Sequence, residues 1–169
     1  MRIQETTFTL PKIKVIQESR KAFEQGYRII VNQGGTRSGK TFSLTQYLIA
    51  LGLTSKYSIS TCSVAFPHLR KGAMRDWRKI MEDFKLYDPN AHMKTEQVYT
   101  YPSGSYVEFF SVDNQLKVRG PGRDILFINE ANIIPYETFR QLLLRTKKAI
   151  FIDYNPADEF HWIYDKVLT

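Results

Sequence analysis

Eight consecutive residues, Gly34-Gly35-Thr36-Arg37-Ser38-Gly39-Lys40-Thr41, combine the residue types that hold phosphate. Glycines at this spacing let backbone N–H groups turn inward on an anion, and a helix that starts here presents its positive end to it. In such a loop Lys40 reaches the β- and γ-phosphates of a nucleotide, and the Thr41 hydroxyl binds Mg²⁺. A glycine-rich helix entry without ligand is the bland alternative. The apolar strand before the loop and the apolar-periodic helix after it favour phosphate binding.

A phosphate loop does not by itself separate kinases, GTPases and motor ATPases, so a second acidic motif must decide. It lies at Asn129-Glu130, after the apolar run Ile125-Leu126-Phe127-Ile128. A strand of this kind delivers one carboxylate to the Mg²⁺ shell and a second that aligns the attacking water. Glu130 suits the second role. Asn129 stands in the first, where a neutral amide accepts a hydrogen bond from a metal-bound water but contributes no charge. The competing reading of Asn129 to Asn132 is a strand-to-helix turn with ordinary capping residues.

The elements that must position these groups follow from periodicity. An amphipathic helix is predicted over 11–25, a strand over 27–32, a helix from Thr41 to about Gly52 and a strand over 57–65. Leu69, Ala73, Trp77, Ile80, Met81 and Phe84 predict one helix from Pro67 to about Lys85, with Arg70, Lys71, Arg75, Arg78 and Lys79 on its other face. Stretches 97–101 and 106–112, joined by Pro102-Ser103-Gly104-Ser105, predict an antiparallel hairpin. Residues 113–123 read as a polar loop, 124–129 as a central strand, 135–145 as a helix and 149–153 as a last strand. The alternation predicts an α/β domain over 1–169 with a mostly parallel central sheet flanked by helices.

Twenty-four Lys and Arg against seventeen Asp and Glu give a net charge of +7, which favours polyanionic partners or simply a soluble surface. Cys62 has no second cysteine to pair with and sits in a strand pattern, as a small buried residue. With only His68, His92 and His161 beside it, a Cys/His metal site is not expected. No apolar run is long enough to cross a bilayer, so a soluble intracellular setting without membrane partners is the expectation.

Taken in order, the phosphate loop, Arg119-Gly120, Ile125 to Asn132, and Tyr154-Asn155-Pro156 followed by His161-Trp162 resemble the large terminase subunits of tailed bacteriophages. The resemblance spans nearly the whole chain. It implies a P-loop NTPase of the additional-strand, catalytic-glutamate class, an ATP hydrolase using ATP and Mg²⁺ that drives double-stranded DNA into a prohead. Glu130 is then the catalytic carboxylate, Arg37 an arginine that stabilises the γ-phosphate, and Asn155 part of the motif coupling nucleotide state to DNA movement. The family's acid strand usually ends Asp-Glu, and Asn129 departs from that.

Arg119 is the candidate trans-acting arginine finger, with Arg123, Arg70 and Arg75 as alternatives, and Gln17, Gln25 and Tyr27 could contact adenine. The resemblance further implies a portal protein and a small terminase subunit as partners, a homo-oligomeric ring on the prohead, and the cytoplasm of an infected bacterium as the setting. The family's nuclease domain has no counterpart here, so nuclease activity is not expected. Three rivals remain: a helicase-like motor, a nucleotide-binding fragment without turnover, and a small-molecule kinase.

Overall fold

The computed structural model describes residues 3–7, 12–35, 38–156 and 162–168. In chain order the elements are β1 (Ile3–Thr7), α1 (Lys12–Glu24), β2 (Ile29–Gln33), α2 (Lys40–Thr54), β3 (Ser58–Ser63), α3 (Phe66–Lys71) and α4 (Ala73–Asp83). Then come β4 (His92–Met93), β5 (Val98–Thr100), β6 (Tyr106–Ser111), α5 (Gln115–Arg119), β7 (Arg123–Ile128), α6 (Tyr136–Leu144) and β8 (Thr146–Tyr154). A π-helical turn spans Ile163–Leu168.

The strands form one eight-stranded sheet in the order β1-β2-β8-β7-β3-β6-β5-β4. From β1 to β6 every pairing is parallel, and β6-β5-β4 is the antiparallel hairpin side. The central strands are apolar throughout because both faces are covered. Ile30, Phe127, Phe151 and Ile125 face one core, against Leu44, Leu48 and Trp77 of the helices α2 and α4. Ile29, Val31, Leu126, Ile128, Ile150 and Ile152 face the other, against Phe139 and Leu142 of α6. This period-two division is what the side-chain alternation of a strand requires.

The position of β8 decides the class. It lies between β2, which leads into the phosphate loop, and β7, which ends at the acid motif. An inserted strand of this kind is the additional strand expected from the sequence.

The structure departs from the sequence reading in three places. The predicted helix over residues 67–85 breaks at Gly72 into α3 and α4, where the Gly72 backbone leaves the helical region and the next N–H donates to a residue of the acid motif instead of continuing the helix. The predicted loop over 113–123 contains α5, whose first turn is capped by Asn114 accepting from the Lys117 N–H at 3.3 Å. The edge strand β1 adds five residues beside β2 that the periodicity did not single out.

Cys62 is fully buried on β3, and burial pushes its thiol up to about 12. A thiol reagent in mildly alkaline buffer is therefore expected to modify the native protein only as fast as the sheet opens. The check is the labelling rate with and without denaturant. Fast labelling of native protein would contradict the burial.

Candidate nucleotide site

The phosphate loop is anchored at both ends. The Gly34 N–H donates to the Tyr154 carbonyl at 3.2 Å, which ties the loop to the end of β8. Gly39, at φ 79°, caps α2 in the left-handed region, where a side chain is disfavoured. Lys40, the first residue of α2, donates from Nζ to the Gly35 carbonyl at 3.3 Å, so its ammonium already lies over the loop. Thr36 and Arg37 lie outside the described residues.

At the C-terminal end of the parallel strands the apolar rows give way to polar ones. Asn32 pairs in register with Asp153, and Ile128 with Ile152, so Asn129 and Asp153 come level. Asn32, Asp153 and Asn129 are all buried. The Thr41 hydroxyl donates to Asp153 Oδ2 at 2.6 Å, and Asn129 Nδ2 donates to both Asp153 oxygens at 3.1 Å. Burial raises the Asp153 carboxyl above its ordinary value, against hydrogen bonds from Thr41, the Glu130 N–H and Asn129 and the charge of Lys40, which favour ionisation. The Asn32 amide has no hydrogen-bond partner among the described residues.

The oxygen that Asn129 would offer to a metal-bound water is already engaged once. Its Oδ1 accepts the Ala73 N–H, the first of α4, at 3.2 Å, and its donor edge faces Asp153 and Thr41. The partners fix this orientation, since an N–H can only be met by the oxygen and a carboxylate only by the nitrogen. The same contact explains Gly72, where an added Cβ would meet Asn129 Oδ1 at 2.5 Å.

Glu130 follows in the left-handed region at φ 56°, a conformation that costs a non-glycine residue on the order of 1 kcal/mol. Its N–H is held by Asp153 Oδ1 at 2.6 Å, which fixes the turn. The turn sends the carboxylate outward, half-exposed, to His68 Nδ1 at 3.1 Å. A cleft of about 630 Å³ runs between these groups and is lined by Lys40, Thr41, His68, Asn129, Glu130 and Asn155, among others.

Lys71 and Arg75 add positive charge to the cleft wall, with Arg75 3.6 Å from Asp76. Arg70 stacks on Phe66, 5.2 Å from the ring. Arg119 is exposed at the end of α5. The Gln141 amide first, then Arg140, and least of all Arg119 hold the Glu137 carboxyl below its ordinary value. Arg123, the other alternative, is buried. It is 3% exposed and donates to Ser60 Oγ and the Lys117 carbonyl, which hold its guanidinium inside the fold.

Gln17, Gln25 and Tyr27 are not among the cleft-lining residues. His161 lies outside the described residues, while Trp162 stacks on Phe139 at 4.5 Å and donates to the Ile134 carbonyl. The sequence reading missed Asp153 and His68. The signal for the first was an acid ending the apolar run Ala149 to Ile152, and for the second there was none beyond its place after β3.

Fold and site together define a P-loop NTPase domain of the additional-strand class. The family described as phage terminase large subunit matches residues 25–169, and the chain belongs to it. No curated protein matches the chain. Among solved structures, the large terminase of a thermophilic bacteriophage aligns with a TM-score of 0.77 at 19% identity. The alignment covers 93% of this chain and 41% of that one. The same terminase in complex with ATP-gamma-S aligns at 0.69 and 17% identity, over 93% and 40%. The ATPase domain of the Thermus phage P74-26 large terminase aligns at 0.55 and 16%, over 82% and 62%. The chain thus spans 41% of the first of these terminases.

Proposed function

We propose that this chain is the ATP-hydrolysing motor domain of a viral packaging machine that moves double-stranded DNA into a prohead. The observation that carries the reading is the cleft in which Lys40, Thr41 and Glu130 face one space across the inserted strand. The loop amides and Lys40 bind the phosphates, and Glu130 holds and orients the water that attacks the γ-phosphorus. The ATP-gamma-S complex of the thermophilic phage terminase supports this use of the fold.

The oxygen donors at the cleft floor, the Thr41 hydroxyl with the Asp153 carboxylate beside it, suit a hard cation such as Mg²⁺. Bound with the nucleotide, Mg²⁺ would neutralise charge on the β- and γ-phosphates. Arg37 and an arginine of a neighbouring subunit, with Arg119 the leading candidate, would stabilise charge on the transferring phosphoryl group. Asn155, at the cleft edge beyond β8, would pass the nucleotide state to the DNA-moving surface.

The net charge of +7 suits sequence-independent contacts to duplex phosphates. Portal protein, small terminase subunit and a ring of copies on the prohead, in the cytoplasm of an infected bacterium, complete the reading.

The test is Mg²⁺-dependent ATP hydrolysis across protein concentration, with and without duplex DNA, beside Lys40→Ala. Turnover should rise more steeply than linearly with concentration, respond to duplex DNA and vanish in the variant. Nucleotide binding without turnover under every condition would reduce the chain to a binding module.

A further inference from the structure

Between the threonine of the phosphate loop and the amide that ends β7 stands a carboxylate from a third strand. Asp153 is fully buried, and each of its oxygens is held twice. Oδ2 accepts from the Thr41 hydroxyl and Asn129 Nδ2, and Oδ1 from the Glu130 N–H and Asn129 Nδ2. A buried carboxylate is tolerated only when donors or a counter-charge surround it, and the three residues that supply those donors, Thr41, Asn129 and Glu130, all line the cleft.

Resting on the nucleotide reading above, we infer that Asp153 supplies the negative charge of the Mg²⁺ site, acting through the Thr41 hydroxyl, while Asn129 clamps that carboxylate in place. A hydroxyl can offer its oxygen lone pair to a cation while donating its proton to a carboxylate. That outer-sphere contact fixes the ligand and raises its basicity. The transfer of the acid from β7 to β8 requires no new geometry. Asp153 and Asn129 are level in register, and β8 is the strand next to β2 and its phosphate loop.

Asp153 is therefore a positioning residue. The purely structural alternative is that it only pins the left-handed backbone of Glu130, through the 2.6 Å bond to that N–H. Such a pin would affect stability but not the dependence of nucleotide binding on metal.

The experiment measures ATPγS affinity by calorimetry in Mg²⁺ and in EDTA, for the wild type, Asp153→Asn and the exchange Asn129→Asp with Asp153→Asn. The ratio of the two affinities is the metal's contribution. In Asp153→Asn this ratio should fall about 10- to 100-fold, with the EDTA affinity kept. The exchange, which returns a carboxylate beside Thr41, should recover most of it.

An unchanged ratio in Asp153→Asn overturns the inference and leaves the nucleotide reading intact. So does a folded exchange variant that keeps the low ratio. A wild type that binds no nucleotide in either buffer removes both. One arm needs no variant: Fe²⁺ with ascorbate and peroxide, bound with nucleotide in place of Mg²⁺, should cut the wild-type backbone at the end of β8. Cleavage confined to other segments overturns the inference even if Asp153→Asn fails to fold.

Discussion

Glu130→Gln is expected to lower ATP hydrolysis by about 10²- to 10⁴-fold, the usual contribution of a general base. Nucleotide affinity should stay near that of the wild type. The two effects separate because the Glu130 backbone and side chain do different work. The backbone N–H is fixed by Asp153, and Gln keeps that bond and the left-handed turn. The side chain, half-exposed over the cleft, pairs with His68 and makes no hydrogen bond or ion pair to the described residues of the loop.

Substitution therefore removes the base without disturbing phosphate binding. Single-turnover hydrolysis beside equilibrium binding is the measurement. Equal losses in both would mean that Glu130 binds ground state and transition state alike and is not the base. In the same assay His68→Ala should cost less than Glu130→Gln, because it removes only the contact that orients the carboxylate, and His68→Gln should recover part of the loss. Both members of that pair are solvent-exposed, so screening limits what it contributes to stability.

Much of the fold was legible because the central strands are uninterrupted apolar runs with the helices spaced between them. Ile125 to Ile128 and Ala149 to Ile152 are buried on both faces, as the central strands of a sheet covered by helices must be. The phosphate loop was legible for a different reason: the glycine that ends it is demanded by backbone geometry, as the φ of Gly39 shows.

The boundary between α3 and α4 was not legible, since nothing in a helical periodicity announces that Gly72 must make room for Asn129. The metal chemistry was half legible. The sequence identified Asn129 as an amide where an acid is expected, but the acid that faces it comes from β8, and only the strand order brings the two together. The same pairing explains the residue at 129. An acid there alone would sit in contact with Asp153, and two buried carboxylates at that distance cannot both ionise. The amide is the partner that a carboxylate at 153 requires.

Trp77→Ala is expected to cost about 3–5 kcal/mol, a large part of the roughly 5–15 kcal/mol that a domain of this kind has. Trp77 is 3% exposed on α4 and joins it to the hairpin side of the sheet. Its ring lies edge-on to Tyr99 at 5.1 Å and to Phe109 at 5.3 Å. Its Nε1 donates to the Tyr101 hydroxyl at 2.9 Å, so truncation also takes the donor from a buried oxygen. The surrounding void is only about 10 Å³, too tight for the neighbours to have slack in which to collapse.

Trp77→Phe should lose less, because it keeps the ring packing and forfeits the hydrogen bond. Urea unfolding of the three proteins separates the two contributions. The effect should also reach the cleft. α4 begins at Ala73, whose N–H orients Asn129, so a loosened α4 releases the clamp on Asp153. In Trp77→Ala the Mg²⁺-dependent part of nucleotide affinity should therefore weaken even where the protein remains folded. If stability falls while that part is untouched, Asn129 holds its orientation without help from the helix.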